Sequence, residues 1–285
     1  MSDSTRPVRL FATDIDDTIL GDAVAAERFR LTWQSLDAER RPLLVYNTGR
    51  NVGDTQWLVL DRRLPAPEFI IGGIGTEMHD AVDAHVAAEF HASIAPGWDG
   101  ATVERIVESI PGVHRQPAEF LNPCKLSWHW HRATAAEVVR LEIQLEKAGL
   151  DVTVGYSNSV YLDVVPRRAG KGNALAWLCR RIGVPLENVL VAGASANNGS
   201  MFALAGVRGI LVGNASGELF AAAGRFRPLI TREKMADGVL AGLSHFGVLE
   251  ANVQAAVAPP VGAAPVARAV NRSGALRKTP DSSER

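Results

Sequence analysis

Short apolar runs recur along the first part of the chain, and each is followed by a stretch of helical periodicity. Residues 8–13 read as a strand and 23–39 as a helix. Leu43-Leu44-Val45-Tyr46, a helix around 51–60 and Phe69-Ile70-Ile71 repeat the alternation. Apolar strands alternating with helices predict a parallel sheet covered on both faces. Ligands of such a sheet gather at the carboxyl ends of its strands.

From about Ala84 the pattern changes. Lys125-Leu126-Ser127-Trp128-His129-Trp130-His131 alternates strictly, and Asp151–Tyr156 with Val160–Val165 reads as a hairpin around Ser157-Asn158-Ser159. Helical stretches at 101–109 and 135–148 complete an α+β segment. After Pro166 the earlier rhythm returns, with a helix at 172–182 and strands at 189–193 and 209–212. The pattern predicts an α/β protein whose Rossmann-like parallel-sheet core, residues 1–83 and 166–250, is interrupted by an α+β cap over 84–165. Residues 251–285, rich in Ala, Pro, Arg and Ser, show no sustained amphipathic pattern, so a flexible tail is expected there.

Composition narrows the function without identifying it. A chain of 285 residues with 47% hydrophobic and 21% charged residues has ample length for a core. Its net charge of −1 argues against nucleic-acid or membrane partners. No apolar run reaches the ~18 residues of a spanning helix, and residues 1–6 carry no signal-peptide pattern. A cytoplasmic protein is expected, as a monomer or weak dimer. Cys124 and Cys179 sit in unrelated contexts and are expected to be free thiols.

The chemistry begins where the first strand ends. Asp14-Ile15-Asp16-Asp17-Thr18 places carboxylates two residues apart, an arrangement suited to covalent phosphoryl transfer. Asp14 would attack phosphorus, and Asp16 would protonate the leaving alcohol and later activate water. Mg2+ would screen carboxylate from phosphate. A helix-capping cluster is the plain alternative. Tyr46-Asn47-Thr48-Gly49-Arg50 offers a hydroxyl and backbone N–H groups to phosphate oxygens. Its alternative is a strand-to-helix turn capped by Thr48 or Asn51. Lys171, opening a helix, could neutralise nucleophile and phosphate together, or be a solvated lysine. Gly72-Gly73-Ile74-Gly75 lacks the spacing of a dinucleotide fingerprint. His129 and His131 share a strand face without a third ligand, and Trp128 and Trp130 point the other way, into the cap.

Taken in order, these segments resemble the haloacid dehalogenase superfamily, in its Cof-type group with an inserted α/β cap. Within that group the chain is most similar to the sucrose-phosphate and mannosylfructose-phosphate phosphatase branch. Gly75-Thr76-Glu77, Asn122-Pro123-Cys124-Lys125-Leu126-Ser127, Leu162–Pro166 and Gly170–Leu175 carry the rest of the likeness, over about residues 8–243. The resemblance implies Asp14 as nucleophile, Asp16 as general acid/base, Thr48 as phosphate-binding hydroxyl and Lys171 as the neutralising cation. It assigns substrate contacts to Gly49, Arg50, Thr76, Glu77, Lys125 and Asn158.

The likeness breaks at one place. Where the superfamily carries Gly-Asp-Ser-Gly-Asn-Asp, this chain has Gly193-Ala194-Ser195-Ala196-Asn197-Asn198. Two carboxylates are gone, together with a glycine that could supply a positive-φ turn. The metal ligands implied are Asp14, the Asp16 carbonyl and Asn197. The expected function is a Mg2+-dependent sugar-phosphate phosphatase weakened by this loss. The alternative is a catalytically silent sugar-phosphate-binding protein, for which a glycosyltransferase is the partner class.

Overall fold

The structure is a computed structural model that describes residues 6–157 and 159–249. Its core is a seven-stranded sheet. The first half contributes β1 (Leu10–Thr13), α1 (Ala23–Gln34), β2 (Leu43–Asn47), α2 (Val52–Leu60), β3 (Phe69–Gly72) and β4 (Glu77–Asp80). The chain then runs through α3 (His85–Ile94), α4 (Gly100–Val107), β5 (Val113–Arg115), β6 (Leu126–Trp130), α5 (Ala135–Lys147), β7 (Val152–Ser157) and β8 (Tyr161–Pro166). It returns to the core with α6 (Lys171–Ile182), β9 (Val189–Gly193), α7 (Gly199–Phe202), β10 (Arg208–Leu211), α8 (Gly217–Ala223), β11 (Leu229–Ile230) and α9 (Met235–His245).

Strand order in the core is β11-β10-β9-β1-β2-β3-β4. Every pairing is parallel except β3 with β4. Alternate residues of one strand feed opposite layers, as a pleated backbone requires. Leu10 and Ala12 face a layer holding Phe90, Leu175, Leu178 and Phe202. Phe11 faces the other, which holds Phe29, Trp33, Val239 and Leu243. The chain leaves β1 towards β2 on one side, while β9 lies on the other. The crevice of such a sheet therefore opens at the carboxyl ends of β1 and β9, where the winding reverses.

The second sheet is four-stranded and antiparallel, in the order β5-β6-β8-β7. Trp128, Trp130, Leu141, Leu145, Leu162 and Val164 form its own buried cluster with α4 and α5. Burial of two indoles here supplies much of the apolar area that a small layer needs. Helix α5 is begun by a capping box between Thr134 and Glu137.

Three elements depart from the sequence pattern. Helix α1 stops at Gln34 rather than continuing to 39, because Ser35 closes its last turn through a hydroxyl bond to the Thr32 carbonyl of 2.8 Å. Gly75-Thr76-Glu77 leads into the antiparallel edge strand β4. Helix α3, placed by the pattern at the start of the cap, buries Val86, Phe90 and Ile94 in a core layer. Both cysteines are free and buried. Asn158 and residues 251–285 lie outside the described residues.

Candidate active site

Asp14 follows β1 directly, and its N–H continues the ladder to the Ala192 carbonyl at 3.1 Å. The residue is only 4% exposed. Its Oδ1 accepts the Ile15 N–H at 2.8 Å. Its Oδ2 is the most contested atom of the site. Asn198 Nδ2 donates to it at 2.7 Å and Lys171 Nζ lies 2.9 Å away, while Ser195 Oγ stands 3.3 Å off, the shorter contact of its hydroxyl being to Asn197 Oδ1.

Lys171 is the first residue of α6 and 1% exposed, so the solvated reading of this lysine is excluded. Its ammonium has no well-aligned hydrogen-bond acceptor despite the short ion-pair distance. Burial holds its pKa below the ordinary lysine value, and the Asp14 charge opposes that shift. The backbone is held as well, because Asn47 Nδ2 donates to the Lys171 carbonyl at 2.9 Å. Gly75 explains how α6 comes so close. A Cβ there would stand 2.4 Å from the Gly170 carbonyl carbon, and its φ of +81° favours glycine independently.

Asp16 points into the cavity mouth. Arg50 grips it with two parallel bonds, Nε to Oδ2 at 2.8 Å and a terminal nitrogen to Oδ1 at 2.7 Å. This fork raises the guanidinium pKa above its ordinary value. Thr48 is fully buried, with its hydroxyl accepting the Arg50 N–H at 3.2 Å. The cap of α2 is Asn51, whose Oδ1 accepts the Asp54 N–H at 2.6 Å. The cap of α1 is Asp22. The acidic cluster at 14–18 therefore caps neither helix, which leaves its carboxylates available for chemistry.

A cavity of about 390 Å3 opens in front of these groups. Asp14, Asp16, Gly49, Arg50, Ser195 and Asn197 line it from the core, while Phe120, Asn122 and Lys125 line it from the cap. That volume falls within the range of small-molecule sites. Lys125 is 7% exposed, with Nζ 3.3 Å from the Phe120 carbonyl and 3.6 Å from Asp163 Oδ1. Glu77 lines the cavity too, while its Oε2 accepts the Val52 N–H at 2.7 Å. Thr76 is buried, and its hydroxyl donates to the Gly73 carbonyl at 2.8 Å.

The sequence pattern includes Asn122 in the motif around Lys125 but assigns it no role. Its amide donates to Thr76 Oγ1 at 2.8 Å and to Glu77 Oε1 at 2.9 Å, tying the cap loop to the β3–β4 turn. Ser195 and Asn198 likewise stand in the sequence only as parts of the altered motif. Ala196 starts a short 3-10 turn and carries no positive φ, so the lost glycine leaves no strain there.

Mg2+, the usual ion of haloacid dehalogenase phosphatases, meets an unsuitable donor set. Ala194 brings no ligand and is buried. Asn197 Oδ1 already accepts from Ser195 Oγ at 2.9 Å and from Asn198 Nδ2 at 2.8 Å. An amide N–H, rather than a lone pair, faces Asp14 Oδ2. Among the described residues no three His, Cys, Asp or Glu side chains gather as a metal site. Magnesium needs near-octahedral oxygen ligation, usually with one or two carboxylates.

Comparison with known proteins agrees with this architecture. The sequence pattern of the sucrose-6F-phosphate phosphohydrolase family matches residues 7–247. The mannosylfructose-phosphate phosphatase of Agrobacterium fabrum is 37% identical over 244 residues, covering 85% of this chain and 98% of the relative. Sucrose-phosphatase 1 of Nicotiana tabacum is 28% identical over 262 residues, which is 87% of this chain but 61% of the plant protein. Sucrose-phosphatase from Synechocystis, solved with sucrose and phosphate, superposes with a TM-score of 0.75. It is 25% identical, and the match covers 85% of this chain and 98% of that one. No helix among the described residues is long and apolar enough to cross a membrane.

Proposed function

Because the chain belongs to the sucrose-6F-phosphate phosphohydrolase family within the haloacid dehalogenase superfamily, we propose that it hydrolyses the phosphomonoester of a sugar phosphate. The observation that carries this reading is Asp14, buried beside Lys171 yet facing a cavity that core and cap line together. The cavity's size suits a disaccharide phosphate, the substrate class in its relatives' names.

An oxygen of Asp14 attacks phosphorus as the bond to the sugar oxygen breaks, and the departing oxygen takes a proton from Asp16. Asp16 then removes a proton from water, and the resulting hydroxide attacks phosphorus. The Asp14–phosphorus bond breaks, its electron pair returns to the carboxylate, and phosphate leaves. In the first half Asp16 must carry a proton, so its forked bond to Arg50 has to be released. The incoming phosphate is the ligand that fits the freed guanidinium, because both present paired, parallel bonding geometry. Thr48 and Gly49 support the phosphate end, while Glu77 and Lys125 support sugar recognition. The cap over 84–165 sets specificity in this reading, with Thr76 acting through Asn122.

The silent-binding alternative is favoured by one observation. Asp14 Oδ2 is crowded by its donors, which lowers its nucleophilicity as it steadies its charge. The deciding experiment measures phosphate release from mannosylfructose phosphate, sucrose phosphate and p-nitrophenyl phosphate, each in EDTA and in millimolar Mg2+. Release from a sugar phosphate supports the enzyme. Binding of the sugar phosphates without release under either condition selects the silent alternative.

A further inference from the structure

We propose that Asn198 takes the place of a divalent cation, so that phosphate binds beside Asp14 without Mg2+. The inference rests on reading this cavity as a phosphoester site. Its ground is the orientation of one amide. Asn198 Oδ1 accepts the N–H groups of Ala194 at 2.9 Å and Ser195 at 3.0 Å. Those two donors fix which end of the amide is oxygen, and so Nδ2 must face Asp14. The side chain is fully buried and wedged in place. A Cβ on Gly193 would lie 2.5 Å from its oxygen.

A carboxylate at 198 would keep both backbone bonds, because its size and shape match the amide. Its second oxygen would then face Asp14 Oδ2 across the present 2.7 Å. Two anions at that separation need a proton or a cation between them. The amide needs neither, because it donates where a carboxylate would repel. Ala194 fits the same account. The superfamily carries an acid here, whereas this methyl is buried in the apolar layer with Ile15 and Ala192. The two replacements together remove two negative charges, and the electrostatic demand for a dication goes with them. Lys171 supplies the positive charge that remains beside Asp14.

Titration calorimetry of the full chain with inorganic phosphate, in EDTA and then in millimolar Mg2+, tests this. We expect the two affinities to agree within about twofold, and Mg2+ alone to leave the melting temperature unmoved. In the double variant Ala194→Asp, Asn198→Asp, phosphate should bind at least about tenfold more tightly with Mg2+ than in EDTA. Mg2+ alone should also raise that variant's melting temperature. If the double variant does not fold, Asn198→Ala serves. Its phosphate affinity should fall about tenfold, the worth of a hydrogen bond to a charged group, and Mg2+ should not restore it. A wild-type affinity that collapses in EDTA, a saturable Mg2+ stabilisation of the wild type, or an unaffected Asn198→Ala overturns the proposal. Turnover that appears only with Mg2+ sinks this inference and leaves the phosphatase reading standing. Phosphate binding that is equal in EDTA and in Mg2+, with no turnover under either condition, does the reverse.

Discussion

In the proposed mechanism Asp14 carries more of the chemistry than any other side chain, and its surroundings make the consequence of changing it specific. Asp14→Asn keeps volume and can still accept at one atom, so the melting temperature should stay within a few degrees of wild type. Phosphate release from every ester should fall below detection, because an amide cannot form the acyl phosphate. A variant that retains full turnover would remove Asp14 as nucleophile. Lys125 calls for a different readout. Its ammonium is held between the Phe120 carbonyl and Asp163 on the cap side of the cavity. Lys125→Ala should raise KM for a sugar phosphate about tenfold, as expected for one charged hydrogen bond. KM for p-nitrophenyl phosphate should hardly move, and equal losses on both would point to damage rather than recognition. Motif order by itself nominates Asp14, Asp16, Thr48 and Lys171 as one group. It could not reveal that Asn198 donates to Asp14 or that Arg50 grips Asp16, since those pairs lie 184 and 34 positions apart.

Strands and helices with a clear period were readable in advance, and those without one were not. The buried strands β1, β2, β3 and β9 are continuous apolar runs, the signature of a sheet covered on both faces. Strand β4 has the sequence Glu-Met-His-Asp and buries only Met78, so no alternation announces it. Its pairing with β3 defines it. Helix α9 was equally silent, because glycines mark its contact face. A Cβ at Gly242 would lie 2.4 Å from Ile210 Cδ1, which is how the helix packs so closely on β10. The turn between β3 and β4 provides the sharpest test of this kind. Gly75→Ala would push a methyl into the Gly170 backbone at the start of α6. Overpacking together with a strained φ should cost about 1–3 kcal/mol in urea unfolding. Because Lys171 follows Gly170, kcat should fall more than KM rises. Unchanged kinetics at reduced stability would show that this turn does not position the lysine.

Core and cap meet through few polar links, and the cavity exists only because they meet. Asn122 is the central link, bonding Thr76 and Glu77 from the far side of the cavity. Asn122→Ala should loosen the cap without unfolding the core, since both layers keep separate apolar clusters. Amide exchange in the 116–127 segment should quicken while the strands of the core stay protected. KM for a sugar phosphate should rise and a small phosphoester should be spared. Uniformly faster exchange across the core would mean that Asn122 supports the whole fold instead. The alternation of apolar runs and helices was enough to predict a parallel α/β core with a cap inserted in it. The motifs at strand ends were enough to nominate phosphoryl chemistry, because both signals are local and survive in a linear string. The state of the broken motif was not local. Read along the chain, Ala194 and Asn198 are two missing acids. Folded, Asn198 is a donor aimed at Asp14, because the reversal of winding between β1 and β9 brings their ends side by side. A hydrogen bond depends on distance and direction in space, and neither can be read from sequence separation.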